Sequence, residues 1–111
     1  MSREFSALPD LQTVEQLRRK SGKSYLEFLR VVSMSAGVYA LPAHGEDPQS
    51  PHLEDELYYV TQGRAKFSAG AEERDVAPGS LIFVAAGVAH RFYDITEDLQ
   101  LLVFFAPAES A

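Results

Sequence analysis

Histidine and glutamate residues at two places along the chain have the types and spacing of metal ligands. The histidines are His44, His52 and His90, and Glu56 follows the second of them by four residues. In an extended strand, residues separated by an even number of positions face the same side. We therefore expect His52 and Glu56 to face one way. We likewise expect His90, Phe92 and Asp94 to share a face of a later strand. If the two strands are neighbours in a barrel, two imidazoles and one carboxylate converge inside it.

Such a set of side chains is suited to a divalent metal ion. Imidazole nitrogen and carboxylate oxygen bind Zn, Fe(II), Mn, Ni or Cu, and the pattern does not choose among these ions. Two histidines and one carboxylate leave coordination positions open for water, oxygen or a substrate. Each residue also has a plainer interpretation when taken alone. His52 beside an acidic run is typical of a surface residue, and His90 after an apolar run is typical of a core histidine.

A short helix and a series of strands must position these residues. The helix begins at an N-cap, for which Asp10 and Thr13 are alternatives, and ends at Ser21-Gly22. The predicted strands, separated by turn residues, are Tyr25–Val32, Ser33–Leu41, Glu56–Thr61, Arg64–Ser68, Arg74–Ala77, Leu81–Val84, His90–Ile95 and Leu99–Ala106. Many short strands at this spacing predict an all-β sandwich or barrel, and an eight-stranded double-sheet roll fits their number.

The composition restricts the class of protein. A chain of 111 residues, with 46% hydrophobic and 23% charged residues, is typical of one globular domain. Its net charge of −6 disfavours nucleic acid and anionic membranes as partners. There are no cysteines, which excludes disulfides and thiolate sites and fits a reducing compartment. The longest apolar run is too short to span a bilayer. We therefore expect a cytoplasmic protein.

Two segments of the chain resemble the two sequence motifs of the cupin superfamily. The first motif reads G-x5-H-x-H-x3,4-E-x6-G, and its second half is matched by His52, Glu56 and Gly63. The second motif reads G-x5-P-x-G-x2-H-x3-N. It is matched in spacing by Gly79, Ala85, Gly87, His90 and Asp94, with Ala85 and Asp94 replacing the proline and the asparagine.

The first motif is incomplete. The first histidine of its H-x-H pair falls on Ser50, so one of the family's four usual ligands is missing, and Gly45 lies one position away from the family's first glycine. Ser50 is expected to support a metal-bound water rather than to bind the ion itself. Replacement ligands from the flexible loop around His52 would be Asp47, Glu54 or His44.

The resemblance implies a small single-domain cupin, whose fold is a double-stranded β-helix, or jelly-roll, barrel with one short N-terminal helix. Residues 1–24 would form an arm and the helix, and residues 25–111 the barrel. By resemblance, His52, Glu56 and His90 are the metal ligands. Other residues expected at the pocket are Ser50, Asp47, Phe92, Tyr58 and Tyr39, of which the two tyrosines are candidates for orienting a substrate or donating a proton.

Three functions remain open at this point. One is a metal-dependent dioxygenase, isomerase or lyase acting on a small organic molecule. Another is a non-catalytic module that binds a small ligand or a metal, and the third is a barrel whose site is vestigial. A homodimer is expected, because the helix and the first strands are more apolar than a self-contained small barrel needs and because cupins often pair their sheets.

Overall fold

A computed structural model describes residues 7–110. The chain forms one helix followed by antiparallel strands, and these are α1 (Leu11–Ser21), β1 (Tyr25–Val31), β2 (Met34–Leu41), β3 (Asp55–Ala69), β4 (Glu72–Val76), β5 (Leu81–Val84) and β6 (His90–Ala106). No helix within the described range is long and apolar enough to cross a membrane.

The helix begins and ends at the residues that its sequence predicts. The Asp10 side chain accepts a hydrogen bond from the backbone N–H of Thr13 at 2.8 Å, which identifies Asp10 as the N-cap. Gly22 ends the helix in a left-handed conformation, with φ of 73°. The helix packs against β1 and β2, and its Val14 is buried.

The described residues form six strands rather than the eight predicted. The two breaks predicted at Gln62-Gly63 and at Glu97-Asp98 lie inside the long strands β3 and β6. Pairing between these strands continues past both places, because register shifts between Val60 and Lys66 accommodate the extra residues. Turn-forming residues here mark bulges in continuous strands and not strand ends.

The strands form one antiparallel sheet that wraps around a core, in the order β1-β2-β6-β3-β4, with β5 also paired to β3. The side chains that fill its interior are mainly aromatic and aliphatic, and they include Tyr58, Phe67, Phe92 and Leu101. The predicted all-β double-stranded β-helix with one short N-terminal helix is thereby confirmed.

Candidate metal centre

Two loops at one end of the barrel bring the predicted ligands together. His52 lies in the segment before β3, and His90 is the first residue of β6. The backbone carbonyl of His52 accepts a hydrogen bond from the Gly87 N–H at 2.7 Å, and the Asp55 carboxylate accepts one from the Ala86 N–H at 2.9 Å. These bonds join the segment before β3 to the β5–β6 turn, so loop contacts rather than strand alternation place His52.

The structure brings His52, Glu56 and His90 into one cluster. One potential ligand atom from each side chain lies within 4.8 Å of the others. Oε1 of Glu56 is 3.1 Å from Nε2 of His90 and 4.0 Å from Nε2 of His52. The side chains of Glu56 and His90 are each only 1% exposed, whereas that of His52 is 20% exposed. The cluster therefore lies at the inner end of an opening toward solvent.

The His90 ring is held by hydrogen bonds on both of its nitrogens. Nδ1 lies 2.9 Å from the carbonyl oxygen of Val88, so this nitrogen must carry a proton. Nε2 faces the Glu56 carboxylate and lies 3.0 Å from the Tyr58 hydroxyl. Burial lowers the pKa of His90, but the adjacent Glu56 carboxylate and the Val88 carbonyl outweigh it and raise the pKa overall.

The Glu56 carboxylate is buried, and the groups nearest to it are the two imidazoles of the cluster. Both of its oxygens are inaccessible to solvent, and neither has a hydrogen bond of good geometry. A buried carboxylate is strongly unfavourable unless a cation compensates it. A divalent ion bound between Glu56 and the two Nε2 atoms would supply that charge and use lone pairs that otherwise face one another. The residues present therefore fit a divalent metal.

Gln49, rather than Ser50, points into the site. The side-chain oxygen of Gln49 lies 3.3 Å from Nε2 of His52 and accepts a hydrogen bond from the Tyr58 hydroxyl at 2.9 Å. Ser50 is exposed. The motif alignment predicted Ser50 as the inward position, and the loop is offset from it by one residue.

A hydrogen-bond network centred on Asp47 lies beside the cluster and includes Tyr39 and Phe92. Asp47 accepts hydrogen bonds from the Tyr39 hydroxyl at 2.7 Å, from the Gln49 amide at 2.7 Å and from the Phe92 backbone N–H at 2.9 Å. The Phe92 side chain is fully buried, and its ring packs on that of Tyr58. Asp47 thus anchors the loop that carries Gln49, and Phe92 belongs to the core.

His44 lies away from the cluster. It lines a separate, open cleft of about 700 Å³ together with Arg64 and Asp94. Asp94, which the sequence placed on the same face as His90, is exposed and has φ of 46°. This turn-like conformation breaks the alternation along β6, and Ile95 is buried in its place.

A small cavity of about 140 Å³ opens directly onto the cluster. It is lined by Tyr25, Tyr39, Gln49, His52, Glu56, Val103, Phe105 and Glu109. None of these residues is a lysine or an arginine. The Tyr25 hydroxyl is buried without a hydrogen-bond partner among the described residues, and burial, with the nearby negative charge of Glu109, raises the pKa of this hydroxyl well above its usual value. Tyr25 therefore presents an unused hydrogen-bond donor in the pocket wall.

The three residues of the acidic run Glu54-Asp55-Glu56 have different roles. Asp55 contacts the β5–β6 turn, as expected of a loop-facing residue, and Glu56 turns inward. Glu54, a candidate replacement ligand, lies outside the cluster, is 5% exposed and accepts two hydrogen bonds from Ser110. The reason is that the segment after β6 folds back over this end of the barrel.

Glu109 is a site residue that the sequence did not reveal. Its Oε2 lies 3.4 Å from Nδ1 of His52. Burial raises the pKa of Glu109, and the proximity of His52 opposes that rise. The residue lies 57 positions after His52 in a segment without any motif, so only the folded structure places it here.

Comparison with known proteins agrees with this geometry. The profile of the Cupin domain family matches residues 37–105. An uncharacterized protein of Streptomyces coelicolor is 49% identical over 100 residues, which span 90% of this chain and 95% of that protein.

Two solved structures are similar to the whole fold or to much of it. TT1209 from Thermus thermophilus matches with a TM-score of 0.73 and 25% identity, over 91% of this chain and 97% of that one. The DMSP lyase DddQ from Ruegeria pomeroyi DSS-3 matches with a TM-score of 0.64 and 27% identity over 68% of this chain, which spans 39% of the lyase's length. The family profile covers more than half of the sequence and both motifs, and the chain belongs to the cupin family.

Proposed function

We propose that the protein binds one divalent metal ion through His52, Glu56 and His90 and uses it to act on a small organic molecule held in the adjoining cavity. The observation that carries this proposal is the Glu56 carboxylate, which is buried, lacks good hydrogen bonds and faces two imidazole Nε2 atoms. A cation stabilises such a carboxylate, and the raised pKa of His90 shows the same preference for positive charge beside it.

A metal held by these three residues would supply Lewis-acid chemistry. The chain's own residues bind and orient the organic molecule. The Tyr25 hydroxyl is an available donor in the cavity wall, while Val103 and Phe105 provide an apolar surface that excludes water. Because none of the described residues that line the cavity is cationic, a neutral molecule is favoured over one that relies on an arginine or lysine for recognition.

The two candidate proton donors differ in their environment. Burial, together with the charge of Glu56, raises the pKa of Tyr58, and burial, together with the hydrogen bond to Asp47, raises the pKa of Tyr39. Both hydroxyls therefore carry their protons at neutral pH and act as donors rather than bases. Tyr58 lies beside His90, whereas Tyr39 lines the cavity and is engaged with Asp47. We propose that Tyr58 holds the metal ligands in place and that Tyr39 contacts the substrate.

Lyase chemistry is the first reaction class to test, because the similar structure from Ruegeria pomeroyi is a DMSP lyase. Isomerase and dioxygenase activities use the same kind of open metal site. The alternative function is a non-catalytic module that binds a metal or a small ligand. It is favoured by Gln49, because an amide stands where many cupins carry another histidine.

The first experiment is elemental analysis of protein purified without an affinity metal column. We expect about one divalent ion per chain, and we expect Glu56→Gln and His90→Ala to lose it. His44→Asn is the matched control, since it removes a histidine outside the cluster and asparagine tolerates the left-handed backbone there. Metal retained in the double variant of Glu56 and His90 would show that these residues are not the ligands.

The second experiment separates an enzyme from a binding module. Protein loaded with Fe(II), Mn(II), Ni(II) or Zn(II) is assayed with DMSP for elimination, and with diols, flavonols and thiols for oxygen uptake. Turnover that Glu56→Gln abolishes identifies an enzyme. Saturable binding of a small molecule without turnover identifies the binding module.

We also propose a homodimer as the working assembly. Beyond the helix and first strands, the structure exposes large apolar side chains on β3 and β5, among them Tyr59, Leu81 and Phe83. Contiguous exposed apolar surface of this kind is typical of protein interfaces. The cytoplasmic location, and the exclusion of nucleic acid and membrane as partners, remain predictions from the sequence.

A further inference from the structure

The segment after β6, residues 107–110, is fastened across the end of the barrel that contains the metal centre; we refer to it as the closing segment. The Glu109 N–H donates to the Ser35 hydroxyl at 2.9 Å, and its carbonyl accepts from Arg30 at 2.7 Å. Ser110 donates from its N–H and its hydroxyl to the buried Glu54 carboxylate, at 3.1 and 2.8 Å. Bonds on both sides of the Glu109 side chain therefore fix the direction in which it points.

The Glu109 side chain points at His52. Its carboxylate lies 3.4 Å from Nδ1, on the opposite side of the ring from Nε2, which faces Gln49 at 3.3 Å and Glu56 at 4.0 Å. An ionised carboxylate only accepts hydrogen bonds, so Glu109 favours the tautomer with the proton on Nδ1, whereas the Gln49 oxygen beside Nε2 favours the other. The carboxylate is the stronger acceptor because it is charged. In the Nδ1–H tautomer the Nε2 lone pair is directed into the cluster.

The two histidines of the cluster differ in what holds their outer nitrogen. Nδ1 of His90 faces the backbone carbonyl of Val88 within the turn that precedes it. Nδ1 of His52 faces a side chain that comes from the other end of the chain. The His52 ring is also the more exposed of the two, at 20% against 1%. Its orientation therefore depends more strongly on a partner outside its own loop.

We propose that Glu109 is a positioning residue for His52, which keeps the proton on Nδ1 and Nε2 directed toward the metal. The inference rests on the proposed metal site. Partners of this kind raise metal affinity by about 10- to 100-fold in proteins. Glu109 also lines the cavity, so the closing segment completes the site instead of merely covering it.

The test compares Zn²⁺ affinity, measured by competition with a chelator, in the wild type and in three variants. Glu109→Ala is expected to weaken binding by about 10- to 100-fold. Glu109→Gln is expected to recover most of that loss, because its amide oxygen still accepts the Nδ1 proton. Glu46→Ala removes an acidic residue that does not line the cavity and should leave the affinity unchanged. Equal affinity in Glu109→Ala and the wild type would overturn the proposal.

A second readout needs no metal. The ¹⁵N chemical shifts of the His52 ring in metal-free protein report which of its two nitrogens carries the proton. We expect an excess of the Nδ1–H form in the wild type and its loss in Glu109→Ala. The same tautomer mixture in both proteins would contradict the proposal. If the wild type binds no Zn²⁺, the proposed metal function fails, and the tautomer measurement still decides whether Glu109 orients His52.

Discussion

Glu56 and His90 lie at opposite ends of the β3–β6 pairing, yet Oε1 of Glu56 is 3.1 Å from Nε2 of His90. In the pairing, Glu56 is opposite Phe105 and His90 is opposite Ala69. The two residues meet because the long ribbon formed by β3 and β6 curves around the core, so that its two ends approach one another. The contact is therefore a consequence of the curvature of this ribbon. It places a carboxylate against an imidazole in the interior.

Metal should stabilise the wild type and not Glu56→Gln. In the wild type the ion compensates the buried carboxylate, and ligand in hundredfold excess over its dissociation constant adds about 2.7 kcal/mol to the free energy of unfolding. The neutral amide of Glu56→Gln removes both the buried charge and a ligand. Thermal unfolding with and without Zn²⁺ measures the difference, and equal metal-induced shifts in the two proteins would contradict the assignment of Glu56.

Gln49 should matter for metal affinity, whereas Ser50 should not. The Gln49 side-chain oxygen contacts both Nε2 of His52 and the Tyr58 hydroxyl, and Ser50 is exposed. Gln49→Ala is therefore expected to weaken Zn²⁺ binding by about tenfold, the lower end of the range for outer partners of ligands. Ser50→Ala is the matched neighbouring change. A larger effect from Ser50→Ala would restore the alignment that places Ser50 in the site.

The sequence predicts which three side chains converge, because its two motifs depend on local spacing. Each of the three side chains lies at a fixed spacing from a glycine of its motif, as His90 does from Gly87. Residues brought in by long-range folding were missed. Glu109 reaches the site only after β6 has crossed the barrel, and Tyr25 reaches it from the first strand.

Some of the predicted strand boundaries were wrong for a related reason. Glycine and acidic pairs are typical of turns, but a long twisted strand uses the same residues to form bulges. At Gly63 the backbone has φ of 94°, and the chain stays paired with β6 on both sides. Sequence alone does not distinguish a bulge from a turn, since the difference is whether a partner strand continues alongside.

Gly63→Ala should destabilise the protein more than Gly70→Ala. Both glycines have positive φ, which costs a residue with a Cβ about 1–2 kcal/mol. A Cβ at Gly63 would also collide with the backbone carbonyl of Asp98, whereas a Cβ at Gly70 meets nothing within 4 Å. We expect Gly63→Ala to cost about 1–3 kcal/mol more, because neither strand can move away. Urea unfolding of the two variants measures this, and equal losses would contradict the close approach.

The ion pair of Glu15 with Arg18 should make the stability of the helix region depend on pH. The two side chains form two hydrogen bonds, at 2.6 and 2.8 Å, and Arg18 lowers the pKa of Glu15 below its usual 4.5. A lowered pKa in the folded state means that the stabilisation is complete above pH 4.5 and is lost as the pH falls through the folded value.

Glu15→Gln should therefore lower the free energy of unfolding by up to about 1 kcal/mol at neutral pH, and by much less at about pH 3. Glu72→Gln is the control, because it removes an exposed ion pair with Arg74 at 3.8 Å. Urea unfolding at the two pH values checks both variants. A loss from Glu15→Gln that is the same at both pH values would point to packing instead of charge.

Charge placed on the exposed apolar face should separate the proposed homodimer. Leu81 pairs with Tyr59, and Phe83 with Leu57, so these four side chains form one patch in which Leu81 is 69% exposed and Phe83 is 63% exposed. If the patch is the interface, Phe83→Lys buries an unpaired charge in it and shifts the protein to monomer. Ala71→Lys serves as the control, since Ala71 is exposed in the turn between β3 and β4, outside both the patch and the first strands. Sedimentation equilibrium gives the masses, and a wild-type mass equal to one 12.3 kDa chain at micromolar concentration would rule out the dimer.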